Sequence, residues 1–152
     1  MTSGVKVDPT VKSLYESLFK DHKYSYLIFR INDEKTKIVV ETQGEKNAPY
    51  AEFAEEMRQK VGDGQECRYA CVDVPVLIDR QGTEGALPVS KIVFILYCPD
   101  EAPVRKRMLY ASSVAALKTT LQLDSVLQIQ ANEMSDIDEK TIKHAVISAQ
   151  RK

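Results

Sequence analysis

Two runs, Cys67 to Ile78 and Lys91 to Cys98, are the most hydrophobic stretches of the chain, and they restrict its fold more than any other feature. Both are dense in Val, Ile, Leu and aromatic residues, which suits strands buried on both faces at the centre of a sheet. The segment between them, Asp79 to Ser90, contains Gly82, Gly85 and Pro88 and is expected to be a long turn. Pro75 marks a bulge or an exposed strand end.

A core that covers both faces of two such strands needs helices, and the flanking sequence supplies them. Asp8 is placed to cap a helix with Pro9 at its first position, and Val11, Leu14, Tyr15 and Leu18 follow at helical spacing. Tyr24 to Ile31 and Lys37 to Thr42 form an antiparallel hairpin across the polar residues Asn32 to Lys35. Pro49 opens a second helix with Tyr50, Phe53, Met57 and Val61 on one face and Gly62 to end it. A long third helix follows Pro99, Asp100 and Pro103 and runs to about Leu123. Val126 to Ala131 reads as a short last strand, and Ser135 to Ile147 as a last helix with Ser135 and Asp138 as its capping box. The expected fold is a single α/β domain: a mixed five- to six-stranded sheet with helices on both faces.

A length of 152 residues allows one sizeable core. The formal charge of -1, from 21 basic and 22 acidic residues, provides no global field for nucleic acid or anionic lipid, so any basic site must be local. The three cysteines, Cys67, Cys71 and Cys98, lie in apolar runs, and their odd number argues against a disulfide framework and for a reducing compartment. Met1 to Asp8 lacks the charged and apolar regions of a secretory signal, and no apolar run reaches the ~20 residues that cross a bilayer. A soluble, cytoplasmic protein is expected.

The third helix carries one apolar face too many. At about 100° per residue, Tyr110, Val114, Leu117 and Leu121 share a narrow sector that docks the helix on the sheet. The opposite sector holds Val104, Arg105, Met108, Ser112, Ala115 and Thr119. Small residues permit close approach, Met adapts to an apolar cleft, and Arg105 and Arg107 are able to grip carboxylates. The pattern alone leaves two readings, burial of both faces or a docking surface. The consecutive cations Arg105, Lys106 and Arg107 favour the surface, because three unpaired cations are costly to bury.

The run from Pro99 through Val104-Arg105-Lys106-Arg107-Met108-Leu109-Tyr110-Ala111-Ser112-Ser113 closely resembles the long-helix signature of the actin-depolymerising factor/cofilin family. The likeness extends to Ser3-Gly4-Val5, Asn47-Ala48-Pro49-Tyr50, Cys67-Arg68-Tyr69-Ala70 and Lys91-Ile92-Val93-Phe94, and the loops are most similar to nematode muscle-type members. The resemblance implies one ADF-homology domain over residues 4–152. It also implies a cytoplasmic, monomeric protein of the actin cytoskeleton that binds actin monomers and filaments, severs filaments and promotes their depolymerisation.

Carried over position by position, the resemblance implies that Ser3, Gly4, Val5, Arg105, Arg107, Met108, Ser112 and Ser113 contact both monomeric and filamentous actin, with ADP-bound actin preferred. Ser3 matches a phosphorylated serine, and a dianion there would be repelled by an acidic partner. A filament-specific contact is implied at Lys91, with Lys140, Lys143 and Arg151 supplying cations from the last helix. Relatives carry another basic residue where this chain has Val89, and charged residues where it has His144, Ala145 and Ser148. Phosphoinositides are implied as competing ligands at Arg105, Arg107 and Lys118.

No phosphate-cradling motif, metal-ligand spacing or assembled nucleophile points to catalysis, and no cofactor is expected. His22 and His144 are far in sequence from the cysteines. Two alternatives stand beside the leading one. The first is a relative such as glia maturation factor that acts on the branch-forming complex, against which Met108 and Ser3 speak. The second is a cysteine-dependent enzyme.

Overall fold

The computed structural model describes residues 4–62, 64–79 and 86–150. Its sheet has six strands: β1 (Lys6–Val7), β2 (Tyr26–Ile31), β3 (Lys37–Gln43), β4 (Arg68–Asp79), β5 (Ala86–Tyr97) and β6 (Leu127–Ala131), in spatial order β1-β3-β2-β4-β5-β6. The two apolar runs, β4 and β5, do lie towards the middle, and the inner pairings are antiparallel. The outermost pairings, β1 with β3 and β5 with β6, are parallel. The second of these requires a crossover, which the long helix α3 (Val104–Leu121) provides.

Alternation along the strands sorts the core into two layers. On β4, Tyr69 and Cys71 face one side while Ala70, Val72 and Val74 face the other. Helices α1 (Pro9–Asp21) and α3 cover the first face with Val11, Tyr15, Leu18, Tyr110, Leu117 and Leu121. Helices α2 (Tyr50–Val61) and α4 (Glu139–Gln150) cover the second with Phe53, Met57, Val61, Ile142 and Val146. Full burial of a side chain such as Leu117 stabilises by about 1.5–3 kcal/mol, so the docking stripe of α3 outweighs any single surface contact.

The hairpin of β4 and β5 is longer than expected. Pairing continues without interruption from Arg68↔Tyr97 to Asp79↔Ala86, so residues 86–90 are strand rather than turn; the remainder of the expected turn, 80–85, lies outside the described residues. Two prolines made this stretch read as a break, yet both tolerate it. The Asp73 N–H points to the β2 side, where it donates to the Ser25 carbonyl, and Pro75 shares that parity just beyond the end of β2. The Cys98 N–H donates to Ala131 on the β6 side, and Pro88 shares that parity beyond the reach of β6. Each proline nitrogen thus lies on a free outer edge, where no ladder bond is lost. Pro75 is exposed, but it lies in mid-strand and without a bulge, so neither the bulge nor the strand end expected there is found.

The helix ends follow sequence closely, with one correction. Asp8 accepts from Thr10 N–H at 2.9 Å, and Pro49 and Gly62 bound α2 as expected. Ser135 and Asp138 do not form the capping box. Asp136 instead reaches back to the Asn132 and Glu133 N–H groups and closes a box with Glu133 around a short 3₁₀ turn, Met134–Ile137, so that α4 begins only at Glu139. Asp138 instead accepts from the Lys140 N–H at 3.3 Å, in the first turn of α4.

Candidate functional site

Helix α3 starts without a side-chain cap. Pro103 occupies the N-cap, and the Arg107 N–H is the first to find a carbonyl, on Pro103 at 3.0 Å. The free N–H groups of the first turn give this end a partial positive charge that favours an acidic partner.

From there the two faces diverge as the spacing predicts. Tyr110, Leu117 and Leu121 are buried and Val114 half-buried. Val104, Arg105, Met108, Ser112, Ala115 and Thr119 are all exposed. Val104 is 59% and Met108 66% exposed, and among the described residues the only other exposed large hydrophobic is Phe19, at 45%. Burial of both faces is thereby ruled out for this chain. Ala111 is exposed too and fills the same face between Met108 and Ala115; its spacing from both was the available signal.

The three consecutive cations have separate fates. Arg105 is exposed and makes no ion pair with any described residue. Lys106 turns inward, its Nζ 2.7 Å from Glu66 Oε2. Arg107 is half-buried, and its Nε donates to the Ala102 carbonyl at 3.0 Å. Glu66 also accepts from Arg68 at 3.2 Å, and Arg68, largely buried, donates to Glu41 at 2.7 Å. Burial pulls the Glu66 carboxyl up, but Lys106 and Arg68 outweigh it and hold the group below the usual carboxylate range. A chain of charges therefore ties α3 to β4 and β3, and Arg105 is left to face outward.

Other sequence-predicted residues fall in different places. Ser113 is buried, and its hydroxyl donates to the Leu109 carbonyl at 2.7 Å, whereas the exposed Ser112 shares that carbonyl at 3.2 Å. Gly4 is exposed at φ +82, a conformation that glycine adopts freely, and Val5 is buried in the core beneath it. Val5 and β1 thus hold the start of the chain beside α3. Ser3 and Arg151 lie outside the described residues.

Lys91 is half-buried and lines a groove of about 600 Å³ with Phe19, Asp124 and Val146. Its neighbour Ser90 and Glu139 line another cleft, of about 710 Å³, so β5 and the start of α4 meet at one end of the molecule. Lys140 is exposed there, and Lys143 pairs with Glu139 at 2.8 Å. Lys118 stands roughly 20 Å along α3 from Arg105 at ~1.5 Å per residue and does not join its cluster.

Among the described residues no histidine lies in the cysteines' part of the fold to form a catalytic pair. His22 Nδ1 lies 2.8 Å from Asp73 Oδ2, and His144 is exposed on α4. Burial pushes the Cys71 thiol up, away from reactivity. Among the described residues no group of three or more His, Cys, Asp or Glu is placed to hold a metal, and no helix is long and apolar enough to cross a membrane.

Comparison with known proteins agrees with this geometry. A family model described as cofilin/tropomyosin-type actin-binding protein matches residues 4–147. Actin-depolymerizing factor 2, isoform c, of Caenorhabditis elegans is 60% identical over 99% of both chains. Actin-depolymerizing factor 1, isoforms a/b, of the same organism is 34% identical over 93% of this chain and 73% of its own. The solution structure of an ADF-like protein of C. elegans superposes with a TM-score of 0.82 at 31% identity, covering 98% of each chain. An α3 with one face in the core and the other open, on a fold and sequence shared over most of their length with these proteins, has one consistent reading: the chain belongs to the actin-depolymerising factor/cofilin family of actin-binding proteins.

Proposed function

We propose that the open face of α3 holds an actin subunit, and that the protein uses this contact on monomers and filaments to promote depolymerisation. The observation that carries the proposal is the pairing of two exposed apolar side chains, Val104 and Met108, with an exposed Arg105 that has no ion pair among the described residues, on a helix whose other face is fixed in the core. An apolar side chain of adaptable shape fills a cleft, and a guanidinium beside it selects carboxylates. The action is non-covalent and needs no cofactor.

Around this centre we place Arg107, Ser112 and the N-terminal Ser3 and Gly4, with Val5 and Ser113 supporting from within. Phosphorylation of Ser3 would set a dianion beside the contact and weaken it. Lys91, Lys140, Lys143 and Arg151 are proposed to touch a second subunit in filaments. Severing follows if binding holds filament subunits in an arrangement that weakens their neighbouring contacts. ADP-bound actin as the preferred form, phosphoinositides competing at Arg105, Arg107 and Lys118, a monomeric state, a domain spanning residues 4–152 and a cytoplasmic location complete the reading.

The double replacement Arg105→Ala with Met108→Ala tests it. Binding to monomers and co-sedimentation with filaments should both be lost while thermal unfolding stays cooperative and unshifted. Retention of both activities by the folded variant would sink the assignment of this face.

A further inference from the structure

Cys67 and Cys98 stand directly across from each other. The β4–β5 register pairs Arg68 with Tyr97, so the next rung outward is Cys67 with Cys98. The Cys98 N–H points away from β4, to Ala131 at 2.8 Å, which makes this a non-hydrogen-bonded rung. At such rungs the Cα atoms approach to about 4.5 Å, inside the range a disulfide spans. The thiols project to the same face, where Cys67 is buried in the core layer and Cys98 packs against that layer, part-buried at the rim. Cys71, four rungs inward, is fully enclosed.

We infer that Cys67 and Cys98 are a modification site, a cross-strand dithiol that hydrogen peroxide converts to a reversible disulfide. Independently of the actin reading, the chemistry balances on these two sulfurs and one peroxide. The Cys67 thiolate attacks a peroxide oxygen; the S–O bond forms, the O–O bond breaks, and hydroxide leaves to take up a proton as water. Cys98 then gives up its proton and attacks the Cys67 sulfur; the S–S bond forms, the S–O bond breaks, and a second water departs. Two thiols lose two electrons, and the peroxide gains them.

The surroundings favour this order. The neighbouring Cys98 thiol holds the Cys67 thiol below its usual range, burial opposes that, and nearby Lys106 and Arg68 add to the lowering. Peroxide is small enough to pass the half-exposed Cys98, and the resolving thiol already stands opposite. The bridge would tie the start of β4 to Cys98, the residue before Pro99 on the approach to α3.

The test is peptide mapping by mass spectrometry of the folded full-length protein after peroxide, with and without a dithiol reductant. The expected product lacks two hydrogens, contains a peptide joined through Cys67 and Cys98, retains a free Cys71 after denaturation, and reverts on reduction. Cys71→Ala should form the same bridge, and Cys98→Ala should leave Cys67 without an intramolecular partner. A bridge through Cys71, a disulfide between two molecules, overoxidation of Cys98 without a bridge, or three free thiols after treatment would each overturn the assignment.

Discussion

The Tyr69 hydroxyl on β4 donates to the main-chain carbonyl of Tyr110 on α3 at 2.6 Å, with the two rings 5.0 Å apart. Tyr110 returns the contact to the sheet: its own hydroxyl accepts from the Ile31 N–H at 3.0 Å. That N–H points towards the position β4 would occupy if it began one residue earlier, so a helix side chain completes a ladder that the strand leaves short. Tyr110→Phe strands this donor in the core and should destabilise by about 1–3 kcal/mol, lowering Tm by roughly 2–4 °C per kcal/mol in a domain of this size. Thermal and urea unfolding of the variant measure it. An unchanged midpoint would mean that the Ile31 N–H finds another acceptor.

Arg105 and Lys106 are adjacent in sequence and should separate cleanly under mutation. Lys106→Ala removes the tie to Glu66 and should cost below about 1 kcal/mol of stability, because the pair is partly exposed. Arg105→Ala should leave Tm in place and weaken actin affinity roughly tenfold or more, about 1.4 kcal/mol. Binding isotherms at two salt concentrations, beside melts of both variants, would reveal an exchange of roles if one exists.

Glu66 gives stability a defined pH response. Its folded-state pKa is held below the ordinary value of 4.5, so its contribution is fully present above that value and is lost as pH falls through the folded pKa. With a side chain 41% exposed, the contribution stays under about 1 kcal/mol. Melts from neutral pH down to about 3 should show wild type and Glu66→Gln converging as the carboxylate is protonated. A constant gap would assign the effect to packing instead of charge.

The filament contact is open to dissection at the other end of the molecule. Lys91→Ala with Lys140→Ala should reduce co-sedimentation with filaments several-fold, on the order of 1 kcal/mol, and leave monomer binding as it was. Loss of both activities together would place these lysines in the primary contact.

Much of this was legible without coordinates. The stripe of Tyr110, Val114, Leu117 and Leu121 and the opposite set around Met108 are consequences of helical spacing, and the structure buries the first and opens the second. Asp8, Pro49 and Gly62 act within a few residues of themselves, so their roles at helix ends could be read locally. Pro75 and Pro88 misled because a proline's cost in a strand depends on whether a neighbour lies on the side its nitrogen faces. That neighbour is set by where β2 and β6 stop. Ser135 and Asp138 misled differently, since Glu133 and Asp136 offered a competing box nearby.

The sequence by itself determined the first three helices, the hairpin of β2 and β3, the family and the face of α3 that stays out of the core, because periodicity and motif are properties of neighbours along the chain. Only the tertiary structure decided which of three consecutive cations faces outward, that Ser113 is buried beside an exposed Ser112, and that Cys67 meets Cys98 while Cys71 lies opposite Phe94. The first and last of those depend on a group from a distant part of the chain, Glu66 for Lys106 and the β5 register for Cys67, and spacing along one segment carries no record of it.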